Sequence, residues 1–499
     1  MADLSRERFA RYTDAETFAK IQEYPSVSAM WNHCVTAFGD ATAIIDGETS
    51  VTYDRLERDV AAFRTRLRQA CPKPGARVGV YAPNSYAFVR AFLAITTLGC
   101  TAVVLPPQLP APAVAGLTAK FHLDALVFHP ALAENTAGVT VPCVDATATG
   151  DCATPAAEVA ADTPCVIMLT GGTTGKSKGA LLSNGAVLQG TVNGCYGYHD
   201  VFGQRYLLVL PLSHVFGLIR NLMTSLYTGS TLYICKNNKD MFKDIARFRP
   251  TVLVLVPALA EMALTLSKKF GRNMLGEDMK YIICGAAAVA PYLVSEYEKF
   301  GITLFPGYGL TESANLVSGN PESHDRPDSV GLLYPNQEYR LVDGELWLKG
   351  ANMLTAYIGE EEPAYADGWF KTGDLARVDE DGFLYIVGRT KEVIVLENGE
   401  NVSPAEVEAK FNALPCIQDS QVFEALNEQG GHILALEVVP RLTELGGIPE
   451  EEREAFIREK LNEVNAALPG YQRVNRITVR DTDFERSPSM KILRYKTVR

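Results

Sequence analysis

The 499-residue sequence lacks several features that would place it in common functional classes. It has no C-x-x-C pair and no cysteine–histidine spacing typical of a metal site, and its ten cysteines stand singly. It also has no excess of basic charge, because 59 acidic residues exceed 47 basic residues and give a net charge of −12. The cysteine pattern indicates reduced thiols in a cytoplasmic protein. The acidic balance argues against nucleic acid or an anionic membrane surface as the main partner.

An uninterrupted apolar run long enough to cross a membrane is missing as well. The uncharged stretch 91–119 contains Gly99 and the pair Pro106-Pro107. These breaks predict a helix, a turn and a buried strand instead of a membrane span. The first eight residues are charged and have no apolar core, so we expect no signal peptide. The sequence therefore predicts no transmembrane segment.

What is present is a regular alternation of helical segments and short apolar strands up to about residue 300. This alternation predicts an α/β fold with largely parallel sheets. After about residue 325 the pattern changes to hairpins, with Asp-Gly turns at 343–344 and 381–382, and a smaller α+β segment follows Arg389. Because the chain is too long for one ordinary core, we expect two domains, residues 1–388 and residues 389–499.

A loop rich in glycine and threonine follows the apolar run 165–169. Its residues are Thr170, Gly171, Gly172, Thr173, Thr174, Gly175, Lys176, Ser177, Lys178 and Gly179. Glycines let backbone N–H groups approach an anion, threonine hydroxyls add donors, and lysines add charge. The loop therefore predicts phosphate binding, whereas a purely structural turn would not need two lysines.

The same loop differs from the P-loop of nucleoside triphosphatases in two ways. A P-loop needs glycine where Thr170 stands, and it runs directly into a helix. Here residues 178–182 are short and apolar and predict a strand, and only Ser183 then offers a helix N-cap. We therefore expect two strands joined by a phosphate-binding loop.

The loop resembles the T-S-G-T-T-G-x-P-K-G signature of the adenylate-forming enzymes, which include acyl-CoA synthetases, luciferases and the adenylation domains of peptide synthetases. Gly171 and Ser177 stand where serine and proline are usual, and neither departure removes a charge. Seven further segments resemble the motifs of this family and follow in its order: residues 211–217, 285–287, 307–312, 367–374, 388–392, 398–404 and 487–494. The resemblance thus extends over nearly the whole chain.

The resemblance implies how the chain would bind ATP and Mg²⁺. Tyr308 would offer its ring to adenine, Thr311 a hydroxyl to the α-phosphate, and Glu312 an oxygen ligand to Mg²⁺. Asp374 and Arg389 would both reach the ribose. The nucleotide-binding residues implied in this way are Thr170, Gly171, Gly172, Thr173, Thr174, Gly175, Lys178, Gly285, Ala286, Ala287, Tyr308, Gly309, Asp374 and Arg389.

The resemblance also implies a fold and a reaction in two steps. The fold would combine layered sheets and a distorted β-barrel subdomain with a small mobile C-terminal domain that turns about Lys391. In the first step a carboxylate attacks the α-phosphorus of ATP, with Lys491 bridging the two groups and His214 lining the acyl pocket. In the second step the loop of Gly399 enters the site, and coenzyme A displaces AMP. The resemblance therefore predicts an AMP-forming carboxylic acid–CoA ligase.

The acid is less closely defined by the sequence. The amino-acid-activating members tend to have Phe-Asp near the position of His214, and its absence here argues against an amino acid. The segments implied to line the pocket, residues 214–226, residues 284–288 and the neighbourhood of Asn315, are mostly small or apolar. They favour a fatty or other hydrophobic acid over a dicarboxylate. Arg220 and Asn221 lie within the first segment, and we expect them on the solvent side of its helix. If they faced the pocket instead, they could bind a second polar group of the acid.

Two alternative functions remain open at this stage. An acyl-adenylate enzyme that loads a carrier protein would share every motif above. A catalytically silent paralogue is disfavoured because the charged residues that the reaction needs are all present, namely Lys178, Glu312, Asp374, Arg389 and Lys491.

Overall fold

The computed structural model of the chain describes residues 6–150, 152–170, 178–360, 365–395, 401–426, 432–486, 492 and 494. Its α-helices are α1 Ala15–Lys20, α2 Val27–Phe38, α3 Tyr53–Ala70, α4 Tyr86–Thr97, α5 Ala111–Lys120, α6 Asn184–Asn193, α7 Thr224–Tyr227, α8 Met241–Phe248, α9 Pro257–Phe270, α10 Pro291–Glu298, α11 Pro404–Asn412 and α12 Glu450–Ala467. A π-helix covers Phe216–Met223 directly before α7. No helix among the described residues is long and apolar enough to span a bilayer.

The strands follow one another along the chain in five groups. The first group is β1 Thr42–Asp46, β2 Thr49–Thr52, β3 Arg77–Tyr81, β4 Thr101–Leu105, β5 Ala125–Phe128 and β6 Cys143–Asp145. The second is β7 Pro164–Thr170, β8 Lys178–Ser183, β9 Arg205–Leu208, β10 Thr231–Ile234, β11 Val252–Leu255 and β12 Tyr281–Cys284. The third is β13 Thr303–Leu310, β14 Asn315–Gly319, β15 Gly331–Leu333, β16 Gln337–Val342, β17 Glu345–Gly350 and β18 Ala356–Ile358. The fourth is β19 Tyr365–Ala366, β20 Trp369–Val378, β21 Phe383–Arg389, β22 Ile394–Val395 and β23 Asn401–Val402. The last is β24 Ile417–Leu426, β25 His432–Pro440 and β26 Arg476–Val479.

A seven-stranded sheet contains β7 and β8, the two strands on either side of the predicted phosphate-binding loop. Its strands lie in the order β18-β8-β7-β4-β3-β5-β6, and the pairs among β3, β4, β5, β6 and β7 are parallel. The uncharged stretch 91–119 divides, as expected, into α4, a turn at Gly99 with φ 73°, strand β4 and α5. Ser85 is the N-cap of α4, because its side chain accepts a hydrogen bond from the N–H of Phe88. The helix itself begins at the next residue, Tyr86.

A larger sheet of fourteen strands runs beside the first. Strands β1, β10, β9, β11, β12 and β13 pair in parallel, and the sheet then continues with the antiparallel strands β14, β15, β21, β20, β17 and β16. The pairing within this sheet therefore changes from parallel to antiparallel between β13 and β14, shortly before the change of pattern that the sequence shows near residue 325. The predicted Asp-Gly turn joins β16 to β17, with φ values of 51° and 80° at Asp343 and Gly344. The α/β fold class is confirmed.

The C-terminal segment forms a separate α+β unit with its own core. Strands β24, β25 and β26 form a three-stranded sheet, and buried apolar side chains between Val402 and Val474 pack together under α11 and α12. Two ion pairs join this unit to α9, since Arg441 lies 2.7 Å from Glu261 and Lys268 lies 2.7 Å from Glu444.

Candidate nucleotide and acyl site

The structure brings three predicted nucleotide-binding residues together, one near the end of β13, one in the middle of β20 and one at the end of β21. The Oη of Tyr308 donates to Oδ2 of Asp374 at 2.6 Å, and the Nε of Arg389 lies 2.8 Å from Oδ1 of the same carboxylate. Asp374 and Arg389 are direct partners in the β20–β21 ladder, so the register of this hairpin places them side by side. We call Tyr308, Asp374 and Arg389 the ribose cluster, after the role that the sequence predicted for two of them.

The carboxylate of the ribose cluster is buried and binds both of its neighbours. Asp374 is 2% exposed, and its side chain has one donor on each oxygen from within the cluster. This carboxylate is therefore the shared acceptor of Tyr308 and Arg389. Burial, together with the negative charge of Asp374, raises the pKa of Tyr308 well above its usual value, so Tyr308 stays a neutral donor.

A second group of residues surrounds Glu312. Thr311 and Glu312 lie on a short 3-10 turn, Thr311–Ser313, directly after β13. The Oη of Tyr357 donates to Oε1 of Glu312 at 2.6 Å, and the ammonium of Lys178 lies 5.0 Å from the centre of the Tyr357 ring. Lys178 is also 3.7 Å from Oε2 of Glu360. The predicted metal ligand and the predicted phosphate-binding lysine are therefore both held by one tyrosine.

The surroundings of Glu312 fit a Mg²⁺ site of the kind that needs bound phosphates. Among the described residues, no group of three or more histidine, cysteine or acidic side chains could hold a metal ion alone. Mg²⁺ is usually bound through one or two carboxylates together with substrate phosphates and water, so a single half-exposed glutamate is a suitable protein ligand. Burial and the charge of Glu312 raise the pKa of Tyr357, which keeps the phenol protonated beside the carboxylate.

His214 lies where a loop closes onto the π-helix. The backbone N–H of His214 donates to the carbonyl of Pro211 at 3.1 Å, and a Cβ at Gly217 would lie only 2.2 Å from the same carbonyl oxygen. Glycine is therefore required at 217 for the loop to pack against the helix. The Phe216 ring contacts Gly285 at the end of β12, where a Cβ would lie 3.4 Å from the ring and 2.9 Å from the carbonyl oxygen of Gly307. The predicted acyl wall is thus assembled from the π-helix and the ends of two strands.

The turn after Gly285 is strained at one residue. Ala286 has φ 67°, a left-handed conformation that glycine adopts without cost and alanine does not. The family motif that residues 285–287 resemble has glycine at this position. Ala286 and Ala287 are half-exposed and exposed, respectively, so they remain accessible to a ligand.

Gly309 lies next to the ribose cluster and also depends on a close approach. A Cβ at Gly309 would lie 2.1 Å from the carbonyl oxygen of Asn315, because β13 and β14 meet at a bulge there. Only glycine allows this pairing, which sets the position of Thr311 and Glu312 one turn later.

The expectation that Arg220 and Asn221 lie on the solvent side of their helix is wrong. They are 1% and 0% exposed, respectively. Every residue of the π-helix Phe216–Met223 is buried, because it packs between α6, β9, β11 and β14. A helix that is surrounded on all sides has no solvent face, whatever the polarity of its side chains.

Several predicted residues lie outside the described part of the chain. Thr170 and Lys178 are paired across β7 and β8, so the ends of the phosphate-binding loop are fixed in an antiparallel ladder. Three groups of predicted residues lie outside the described part of the chain. They are the residues of the loop itself, the residue of the thiol tunnel and the bridging lysine: Gly171, Gly172, Thr173, Thr174, Gly175, Gly399 and Lys491. Their roles stay predictions from sequence.

Two residues of the site were missed by sequence reasoning. Tyr357 and Glu360 follow Glu312 by more than 40 positions and belong to no motif that the sequence analysis used. They reach the site because β18 pairs with β8, which carries Lys178. An alternating pattern at 356–358 could have indicated a strand, but its partner strand could not have been identified.

The comparisons with known proteins agree with this geometry. The family model described as AMP-binding enzyme matches residues 31–358, and the model described as AMP-binding enzyme C-terminal domain matches residues 391–499. The chain therefore belongs to the AMP-binding enzyme family.

Relatives and solved structures that match the chain include three acid–CoA ligases. Feruloyl-CoA synthase from Amycolatopsis sp is 29% identical over 445 residues, covering 84% of this chain and 89% of that protein. Indoleacetate–CoA ligase from Aromatoleum aromaticum is 29% identical over 436 residues, covering 80% of this chain and 85% of that protein. o-Succinylbenzoate CoA synthetase from Bacillus subtilis, solved with its acyl-adenylate intermediate, has a TM-score of 0.77 and 24% identity, covering 96% of this chain and 99% of that one. The predicted class of AMP-forming acid–CoA ligases, with ATP and coenzyme A as co-substrates, is confirmed at the level of the family.

Proposed function

We propose that the chain activates a carboxylic acid with an apolar body as its acyl-adenylate and transfers the acyl group to coenzyme A. The observation that carries this proposal is the position of the ribose cluster beside Glu312, Tyr357 and Lys178, within a chain of the AMP-binding family. Tyr308 of the ribose cluster lies on β13, and Glu312 lies on the turn that directly follows this strand. One nucleotide could therefore contact both groups.

Each of the residues below has a different role in the first step, the formation of the acyl-adenylate. Asp374 and Arg389 would bind the ribose, and Thr311 would donate to the α-phosphate at the point of attack. Lys178 would hold the terminal phosphates as a point charge. Glu312 would be the protein ligand of Mg²⁺, which neutralises phosphate charge when it is bound. Adenylation needs no protein nucleophile, since positioning and charge neutralisation lower the barrier.

The size and chemical type of the apolar part of the acid substrate can be tested directly. Phe216, Gly285 and Gly307 give the acyl wall an apolar character, which supports the hydrophobic acid favoured by the sequence. Feruloyl and indoleacetate, which the relatives are named for, are aromatic acids. We therefore place aromatic acids beside fatty acids in the substrate panel, measured by pyrophosphate release. Activity with neither class, at saturating ATP, would contradict the proposed function.

Coenzyme A is the acceptor that we propose for the second step. The matching relatives are named as CoA ligases or CoA synthases, which supports coenzyme A over the carrier-protein alternative. The test supplies acid and ATP with either coenzyme A or a carrier protein and identifies the thioester by its mass. We place the reaction in the cytoplasm, because all ten cysteines are free thiols, as in a reducing compartment.

We further propose that residues 1–388 and 389–499 act as two domains that rotate about Lys391 between the half-reactions. The separate apolar core of the C-terminal unit supports this division. Lys491→Ala should abolish adenylate formation but still convert supplied acyl-adenylate and coenzyme A to thioester. Lys391→Pro should do the opposite, because proline fixes φ at the pivot. Equal losses of both half-reactions in each variant would contradict the rotation.

A further inference from the structure

A narrow cavity begins at Gly307, the residue directly before Tyr308 of the ribose cluster. It is walled by β12, β13 and β14, by the π-helix and by the segment after α6. Its lining includes Ile283, Phe305, Leu316 and Tyr334, and a single ionised side chain, Arg220, among the described residues. We call it the Arg220 cavity.

The guanidinium of Arg220 has fewer partners than its burial requires. Its Nη2 donates to the Oη of Tyr198 at 2.7 Å, whereas its Nε and Nη1 have no hydrogen-bond acceptor. No ion pair joins Arg220 to a carboxylate of the described residues. Tyr206 interacts electrostatically with this guanidinium. Its hydroxyl is buried and, like the Nε and Nη1 of Arg220, has no partner at hydrogen-bond geometry within the described part of the chain. A buried charge is normally paired, so a group is missing here.

The neighbours of Arg220 cannot supply the missing negative charge. Burial raises the pKa of Tyr198 well above its usual value, although the guanidinium acts to lower it. Burial likewise raises the pKa of Tyr334 and of the Cys195 thiol to about 12 each. All three are neutral at physiological pH, and arginine does not lose its proton in proteins. The cavity therefore keeps a net positive charge in the ligand-free protein.

The cavity lies on the same surface as the acyl wall, farther from the reaction centre. Ile283 lines the cavity and is two residues before Gly285 on β12, so both face the same side of the sheet. Arg220 is about one helical turn beyond Phe216, whose ring contacts Gly285. His214 lies in the loop before the π-helix, whereas Arg220 lies inside the π-helix. An acid held at His214 would thus reach Arg220 only with its distal end.

We propose that Arg220 anchors a second, distal carboxylate of the acid substrate, with the hydroxyl of Tyr206, which has no hydrogen-bond partner among the described residues, as a further donor to the bound anion. This inference rests on the proposed acid activation and narrows its substrate class to acids with an apolar body and an anionic far end. It replaces the expectation that a dicarboxylate is disfavoured. Tyr198, which accepts a hydrogen bond from Arg220, positions the guanidinium and is itself held by ring contacts with Phe305 at 5.5 Å and Tyr281 at 5.3 Å between centroids.

The test compares acids of equal length that differ only at the far end: octanedioate with octanoate, and para-carboxycinnamate with cinnamate. We expect kcat/KM for pyrophosphate release to favour the dicarboxylate of one pair by 10-fold or more in the wild-type protein, since charge-assisted bonds to a buried arginine are strong. Arg220→Leu should reverse this preference. Asn221→Ala, a neighbouring buried position that does not line the cavity, should keep the preference.

Arg220→Lys provides a second variant if the leucine substitution prevents folding. It keeps the charge but loses the planar fork, so the preference for the dicarboxylate should fall without reversing. A wild-type preference for the monoacid in both pairs would contradict the proposal that Arg220 binds a distal carboxylate. It would not contradict the proposed activity of an acid–CoA ligase. If no acid of any kind released pyrophosphate, the proposed function itself would fail. Stabilisation of the ligand-free protein by octanedioate alone, in a thermal shift assay, would then decide the anchor, and its absence would overturn it.

Discussion

Two arginines of this protein lie beside tyrosines but differ in what balances their charge. In the ribose cluster Arg389 pairs with the carboxylate of Asp374, and 46% of its side chain is exposed to solvent. In the Arg220 cavity the guanidinium is 1% exposed and has only neutral partners among the described residues. Folding alone gives Arg389 a partner of opposite charge. Arg220 would gain a partner of opposite charge only from the distal carboxylate that we propose, so the two arginines differ in whether the protein itself balances their charge.

The largest effect should follow from breaking the ribose cluster with Asp374→Asn. The change removes the charge that pairs with Arg389 and that would accept two ribose hydroxyls. Because hydrogen bonds to a charged group contribute about 1.5–3 kcal/mol each, kcat/KM for ATP should fall by roughly 10³-fold. The measurement is pyrophosphate release with ATP varied, with circular dichroism as the control for folding. A loss below 10-fold would place the ribose elsewhere.

A smaller loss should follow from Glu312→Gln, which keeps the shape of the side chain but removes its charge. Adenylation should fall by about 10²-fold at saturating Mg²⁺, comparable to the loss of one charge-stabilising contact. Tyr357→Phe is the matched control, because it removes the hydrogen bond to Glu312 but leaves the carboxylate in place. We expect it to cost less than 10-fold. Equal losses in the two variants would show that Glu312 acts through Tyr357 and does not bind the metal.

Arg220→Leu should sharpen the comparison because it is expected to change stability, whereas Asp374→Asn is expected to change the use of ATP. It replaces an unbalanced buried charge with an apolar group, and Tyr198 keeps its hydrogen bond to the carbonyl of Gly194 at 2.7 Å. The free energy of unfolding should therefore rise by about 1–3 kcal/mol without ligand, as found when buried charges are replaced by apolar side chains. Urea unfolding measures this change. A destabilised variant would show that the charge is already balanced in the free protein.

The smallest effect concerns Ala286, which lies at the rim of the acyl wall and has no part in either charge arrangement. Glycine at this position relieves the left-handed strain but adds entropy to the unfolded chain, so Ala286→Gly should stabilise the protein by less than about 1 kcal/mol. Thermal unfolding measures the shift. A decrease in melting temperature would contradict the strain, and the catalytic rate serves as the control for an unchanged site.

The sequence predicted the fold and the residues of the ribose cluster because both depend on local patterns. Strand β8, the N-cap Ser183 and the Asp343-Gly344 turn were all predicted from neighbouring residues. The pairing of Asp374 with Arg389 follows from a hairpin, which is also local.

The Arg220 cavity could not be predicted in this way. Whether a helix has a solvent face depends on what packs around it, and the strands that bury Phe216–Met223 come from distant parts of the chain. Tyr357 was missed for the same reason, since its neighbour Glu312 lies 45 positions away.

The hydrogen bond between Tyr357 and Glu312 also crosses from one sheet to the other. Tyr357 lies on β18 at the edge of the seven-stranded sheet, whereas Glu312 follows β13 of the fourteen-stranded sheet. ATP bound to Lys178 on one side and to Asp374 on the other would join the two sheets. Ligand binding would then couple their unfolding, and ATP at a hundredfold excess over its Kd would add about 2.7 kcal/mol to the stability of both together. Scanning calorimetry should accordingly show a sharper single transition in the presence of nucleotide.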